Sequence, residues 1–129
     1  MMKVDISGKH MELSEDIQKY TFKKIGRLDR YIPRHARRTA YAQIVLRTEA
    51  GKQADRFLCD AVIHLPRDQI TAKEATINIF AAVDIVEAKL KNQLLRYKNR
   101  RTEHRSKHEI VRRIRERLAL NQSIPQDEP

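Results

Sequence analysis

The stretch NIFAAVDIVEAKLKNQLLRYKNRR, residues 78–101, holds the clearest periodicity in the chain. Ile79, Val83, Val86, Leu90, Leu94 and Tyr97 follow at spacings of four, three, four, four and three, the repeat of one face of an α-helix lying across a sheet. Asn78, just ahead, can cap the open amides of a first turn, so the spacing predicts a helix from there to about Arg101 or a little beyond. A helix with one apolar face needs a second layer to bury it, and the preceding segments supply one.

Residues 39–48 alternate Ala40, Ala42, Ile44 and Leu46 with Tyr41, Gln43, Val45 and Arg47, and Glu49-Ala50-Gly51-Lys52 follows as a hairpin loop. Residues 54–64 place Phe57, Cys59, Ala61 and Ile63 at period two, and Leu65-Pro66-Arg67-Asp68 breaks the run. Residues 69–74 set Ile70 and Ala72 on one face. Gln43, Arg47, Arg56, Asp60, His64, Thr71 and Lys73 would line the other face, so the sheet is predicted to keep one wet side. Upstream, residues 2–7 read as a strand with Val4 and Ile6 inward. Ser14, followed by Glu15 and Asp16, opens a helix predicted over 14–32. Its apolar side is Leu13, Ile17, Tyr20, Leu28, Tyr31 and Ile32, with Gly26 a weak point inside and Pro33 as the stop. The predicted fold is α+β in the order β-α-β-β-β-α, a four-stranded sheet with two helices packed on one face.

The 129 residues suit one ordinary domain, and 40% hydrophobic content suffices for a small core. Lys and Arg number 27 against 17 Asp and Glu, a net charge of +10 that points to a polyanionic partner, nucleic acid first. Of these, 21 basic and 12 acidic residues lie in 1–101, against 6 and 5 beyond, so the excess belongs to the body. Residues 1–101 are therefore expected to form the binding domain. Residues 102–129, basic and then polar, are expected to be a partly disordered, mobile extension, with a short helix possible from Lys107 to Leu120 through Ile110, Ile114 and Leu118. A single cysteine, Cys59, excludes an intrachain disulfide and a thiolate-rich zinc site. The N-terminus has no signal-peptide pattern and no window approaches the ~18 apolar residues of a membrane span, so a cytoplasmic protein without a membrane partner is expected.

From Lys89 to Arg101 there are six basic residues, Lys89, Lys91, Arg96, Lys98, Arg100 and Arg101, and no acid. A helix face that is only solvated usually interleaves signs, so this run reads as a phosphate-binding surface. At about 100° per residue, Lys89, Arg96 and Arg100 share one flank of the apolar stripe, and Lys91 and Lys98 take the other. The first helix repeats the design: Lys19, Lys23, Arg27 and Arg30 point away from its apolar side, with Lys24 at the border. The expected RNA-binding residues are Lys23, Lys24, Arg27, Lys89, Lys91, Arg96, Lys98, Arg100 and Arg101. Aromatic residues are few, and Phe57, Phe80, Tyr20, Tyr31 and Tyr97 are assigned to the core, which favours structured RNA recognised through shape and phosphate over a single-stranded motif.

Signatures of catalysis are missing: the three glycines form no phosphate loop, and there is no Gly-x-Ser-x-Gly or His-Glu-x-x-His. His104 and His108 lack a third ligand nearby, Cys59 sits at an apolar strand position, and Asp84 and Glu87 have no base to work with. The expectation is a binding protein, with no enzyme activity, cofactor, metal or small-molecule substrate.

The residues also suggest a family. Ile6-Ser7-Gly8-Lys9-His10-Met11-Glu12-Leu13-Ser14-Glu15, then Lys24-Ile25-Gly26-Arg27-Leu28-Asp29-Arg30-Tyr31, resembles the opening of the ribosome hibernation promoting factors and ribosome-associated translation inhibitors, once called sigma-54 modulation proteins. Asn78-Ile79-Phe80-Ala81-Ala82-Val83-Asp84 looks like that family's Asp-Met-Tyr-x-Ala-Ile-Asp, and Lys89-Leu90-Lys91-Asn92-Gln93-Leu94-Leu95-Arg96-Tyr97-Lys98 looks like its Lys-Leu-x-Arg-Gln-Leu-x-Lys-His/Tyr-Lys. The likeness spans about residues 3–101 and suggests a short form with a C-terminal extension.

The resemblance implies a β-α-β-β-β-α domain, similar in part to double-stranded RNA-binding domains, that occupies the small ribosomal subunit between head and body. Its basic helices would contact rRNA where mRNA and the A- and P-site tRNAs lie, blocking and preserving the idle ribosome. Lys24, Arg27, Lys89, Arg96, Lys98 and Arg100 fall on basic family positions, whereas Asn92 stands where a basic residue is common and Asn78 replaces an acid. The tail is shorter than the dimerisation domain of long family members, and it carries Arg112, Arg113, Arg115 and Arg117 where some short inhibitors are acidic. The implied partner is the small ribosomal subunit and its rRNA, with the protein monomeric off the ribosome. The alternative reading is a transcription or ribosome-assembly regulator using the same basic face on DNA, protein or precursor RNA.

Overall fold

The computed structural model describes residues 1–123, with side chains described for 1–99 and 110–118. The chain divides into two compact units, Met1–Arg96 and a second beginning at Tyr97. In the first, β1 (Lys3–Lys9), β2 (Tyr41–Glu49), β3 (Arg56–Leu65) and β4 (Asp68–Thr76) form one sheet in the order β1-β2-β3-β4. Strands β2, β3 and β4 are antiparallel neighbours joined by hairpins. β1 pairs parallel to β2, which needs a crossover between them. That crossover is α1 (Glu15–Gly26), a 3-10 turn (Arg27–Tyr31) and the short α2 (Arg34–Arg37). The long α3 (Ile79–Ser123) completes the predicted β-α-β-β-β-α order.

Alternation in the sequence becomes one buried face through the strand register. Ala42 lies opposite Ile63, Ile44 opposite Ala61, Leu46 opposite Cys59, and Ile63 opposite Ile70, and all of these are buried. α1 covers that face with Ile17, Thr21 and Ile25, and α3 with Ala82, Val83, Val86, Leu90 and Leu94. Burying such side chains stabilises the fold by roughly 1.5–3 kcal/mol each for the larger aliphatics. Gln43, Arg56, Thr71 and Lys73 are exposed on the opposite face, with Arg47, Asp60 and His64 half-buried there, as expected.

The predicted caps form: Ser14 Oγ accepts from the Ile17 amide at 3.3 Å, and Asn78 Oδ1 accepts from Phe80 at 2.8 Å and from Ala81 at 3.4 Å. The helix predicted over 14–32 is instead divided after Gly26, where α-helix tightens into the 3-10 turn. Gly26 is buried under the N-terminus, and a Cβ there would lie 3.3 Å from Met1 Sδ, a close approach that its lack of a side chain permits. Pro33 ends this stretch as predicted but also leads directly into α2, whose Ala36 is buried.

Two further expectations are corrected. α3 does not end near Arg101: it runs to Ser123, and the short helix expected over Lys107–Leu120 is part of it. The disorder expected of the last residues falls on 124–129, outside the described residues. Phe80, assigned to the core, is 38% exposed, while Tyr20, Tyr31 and Phe57 are only half-buried, because the small and β-branched residues Ala82, Thr21 and Ile25 fill the interface between helices and sheet. Of the aromatics assigned to the core, only Tyr97 is buried, at 8% exposure.

Candidate nucleic-acid interface

α1 and α3 lie side by side, and the polar residues at their seam set the electrostatics of the outer surface. The Tyr20 and Phe80 rings meet edge to face with centroids 5.1 Å apart, and the Tyr20 hydroxyl donates to Asp84 Oδ1. Lys24 Nζ lies 3.5 Å from Asp84 and 3.7 Å from Glu87. Glu87 first, and then Asp84, hold the Lys24 ammonium above its ordinary pKa, and the bond to Asp84 raises that of Tyr20. Asp84 and Glu87, for which the sequence offers no catalytic base, thus anchor a lysine and a tyrosine from the neighbouring helix.

Beyond this clamp the seam opens into a groove lined by Lys24, Arg27, Leu28, Arg30, Tyr31 and Glu87. The 3-10 turn builds one wall by burying Leu28, which leaves Arg27 and Arg30 exposed to either side. Tyr31 collects cations from both elements: the Arg30 guanidinium lies 5.5 Å from its ring centroid and Lys91 Nζ, reaching across from α3, lies at 5.2 Å. Lys23 is exposed on α1, one residue before the clamp. Lys23, Lys24, Arg27, Arg30 and Lys91 therefore form a cationic surface from three elements, in which only Lys24 has carboxylates against it among the described residues.

The other flank of α3 behaves differently. Lys89 Nζ pairs with Glu74 Oε2 at 2.6 Å and donates to the Lys73 carbonyl at 3.1 Å, and Gln93 Nε2 donates to the Thr71 carbonyl at 2.7 Å. Both side chains thereby close backbone acceptors of β4, one of the two edge strands of the sheet. The bond from Lys89 holds the Glu74 carboxyl below the usual range. Arg96 is exposed on this side. The sequence-predicted residues are thus divided: Lys24 and Arg27 line the groove, Lys91 reaches its Tyr31, Lys23 is exposed on α1, and Lys89 is engaged at the sheet edge. Lys98 belongs to the second unit, and the Arg100 and Arg101 side chains lie outside those described.

The groove adds Arg30 and Tyr31 to the residues expected from the sequence. Arg30 stands three residues after Arg27, the spacing of one helical face, and its place on the basic back of the first helix is the signal that points to it. Tyr31 carries no such signal, because it sits at the end of an apolar pattern and reads as core. Cys59 is buried and its thiol is pushed up to about 12 by desolvation, as its strand position suggests. Among the described residues no three His, Cys, Asp or Glu side chains come together as a metal site, and no helix is long and apolar enough to cross a membrane.

The family model described as sigma 54 modulation protein / S30EA ribosomal protein matches residues 4–102. The ribosome hibernation promotion factor of Lactococcus lactis subsp. cremoris is 30% identical over 102 residues, which cover 78% of this chain and 51% of that protein. The ribosome hibernation promoting factor of Azotobacter vinelandii is 28% identical over 102 residues, 79% of this chain and 88% of the relative. The chain thus spans about half of the first relative and most of the second. Among solved structures, the Thermus thermophilus Protein Y N-terminal domain superposes with a TM-score of 0.63 at 28% identity, covering 75% of this chain and 99% of that domain. A ribosomal subunit interface protein from Coxiella burnetii gives 0.61 at 25% identity, covering 76% and 99%. With its strand order, its helix pair and nearly all of Met1–Arg96 inside the matched region, the chain belongs to the sigma 54 modulation protein / S30EA ribosomal protein family.

Proposed function

We propose that this protein is a ribosome hibernation factor that binds rRNA of the small subunit in the mRNA and tRNA channel and inhibits translation by occupying the A and P sites. The observation that carries the reading is the cationic groove at the α1–α3 seam, where Arg27, Arg30 and Lys91 converge from two elements on the family-matched domain. Such an array meets several phosphates at once, releases their counterions and needs no base-specific contact. The names of the relatives support a ribosomal site over DNA or a protein regulator. A folded domain lodged in a channel blocks it by volume alone, so inhibition requires no catalytic group. The cytoplasm is the expected location and the monomer the expected state away from the ribosome.

Sedimentation of a stationary-phase extract through a sucrose gradient tests the reading. The protein is expected to travel with ribosomal particles at low salt and to leave them as salt is raised. Recovery only in the light fractions at low salt would favour the transcription or assembly regulator instead.

A further inference from the structure

The second unit carries an apolar stripe in water. On α3, Ile110 is 55% exposed, Val111 45%, Ile114 51% and Leu118 55%. At about 100° per residue these four fall within an arc of roughly 100° on one face. Arg113 and Arg117 border that arc on one side and Arg115 on the other, all exposed, while the Arg112–Glu116 pair, 4.0 Å apart, lies on the far side. The stripe therefore has basic margins along both edges.

Resting on the ribosomal function proposed above, we propose that this helix face docks into an apolar groove rimmed by carboxylates on a ribosomal protein. The pattern itself selects the occupant. Apolar anchors spaced over two turns are how a helix lies in a protein groove. RNA could answer the arginines, but its phosphate backbone offers no surface to cover Ile110, Ile114 and Leu118. A second copy of the chain could cover the stripe, yet in either orientation it would set Arg113, Arg115 and Arg117 against one another. A lipid surface would call for aromatic residues and a longer apolar face, and residues 110–118 hold no aromatic. Only a groove with apolar floor and acidic rim complements every part of the face.

The test uses the full chain with the photocrosslinking residue benzoylphenylalanine in place of Val111, bound to purified ribosomes and irradiated. A nuclease-resistant adduct with the mass of this chain plus one ribosomal protein is expected. Leu118→Glu should cut its yield at least about tenfold, and Arg113→Glu with Arg117→Glu should also lower it, with circular dichroism as the folding control. A nuclease-sensitive adduct, an adduct of twice the chain mass, or no adduct from a ribosome-bound protein would overturn the proposal, as would a yield indifferent to the glutamates. A chain that does not pellet with ribosomes at all would overturn the ribosomal reading itself, a separate and recognisable outcome.

Discussion

Lys89 and Lys91 stand two residues apart on α3 and serve different flanks. Lys89 turns to the sheet edge, where Glu74 and the Lys73 carbonyl receive it, and Lys91 crosses to Tyr31 and joins the cations of α1 and the 3-10 turn. A basic residue on a helix is therefore a ligand for phosphate only to the extent that its own fold leaves it unclaimed. The sequence, which shows six cations without an acid from Lys89 to Arg101, cannot display Glu74, which lies fifteen residues earlier and arrives through the packing of α3 on β4.

The two flanks share one anchor, the residue between them. Leu90 is fully buried, and Leu90→Ala is expected to cost about 2–5 kcal/mol of stability, read as a lowered midpoint in urea. Both flanks should fail together in that variant, whereas Leu118→Ala, at a 55% exposed position, should change stability by less than about 0.5 kcal/mol. Equal costs would mean that the two halves of α3 are buried alike.

Next in size is the groove itself. Replacing Arg27, Arg30 and Lys91 with Ala should lower the salt slope of log K for ribosome binding by roughly two to three, at about 0.7 to 0.9 for each phosphate no longer neutralised. Lys89→Ala should leave that slope nearly unchanged and instead lower the stability only slightly, as expected for a surface pair. Reversed results, with Lys89 controlling the slope and the groove residues silent, would move the interface to the sheet-edge flank with Arg96.

The smallest effect is a pH dependence at the same pair. Because Lys89 holds the Glu74 carboxyl below its unfolded value, the pair stabilises the fold above the ordinary Glu pKa of about 4.3, and that contribution is lost as pH falls through the lower folded value. The stability gap between the natural chain and Lys89→Ala should therefore be present at neutral pH and close in acid. A gap that widened below about pH 4 would contradict the assigned pairing.

Much of the fold is legible in the sequence because its signals are local. Period-two alternation in 39–48 and 54–64, the stripe from Ile79 to Leu94 and the caps at Ser14 and Asn78 each arise within a few residues, and all reappear in the structure. What escapes such reading depends on neighbours distant in sequence. Gly26 ends α1 beneath Met1, Thr21 is buried although its side chain is polar, and Phe80 stays at the surface against Tyr20, sixty residues away. The candidate site follows the same division. Its charge and its two helices can be read directly, but the convergence of Arg30 and Lys91 on Tyr31, and the withdrawal of Lys89 to Glu74, need the helices packed together on the sheet. The extent of α3 past Arg101 is hard to read because the apolar stripe thins there while helix-favouring Arg and Glu continue.

If the basic groove holds the protein in the channel that mRNA and tRNA use, filling that channel beforehand must weaken binding, so order of addition is the direct test. Small subunits would be either left empty or loaded with mRNA and initiator tRNA, and the affinity of the full chain for each measured at one fixed salt concentration. Tight binding to empty subunits, weak binding to loaded ones, and translation inhibited only when the protein arrives first are the expected results. Equal affinity for both, with equal inhibition in either order, would contradict that placement.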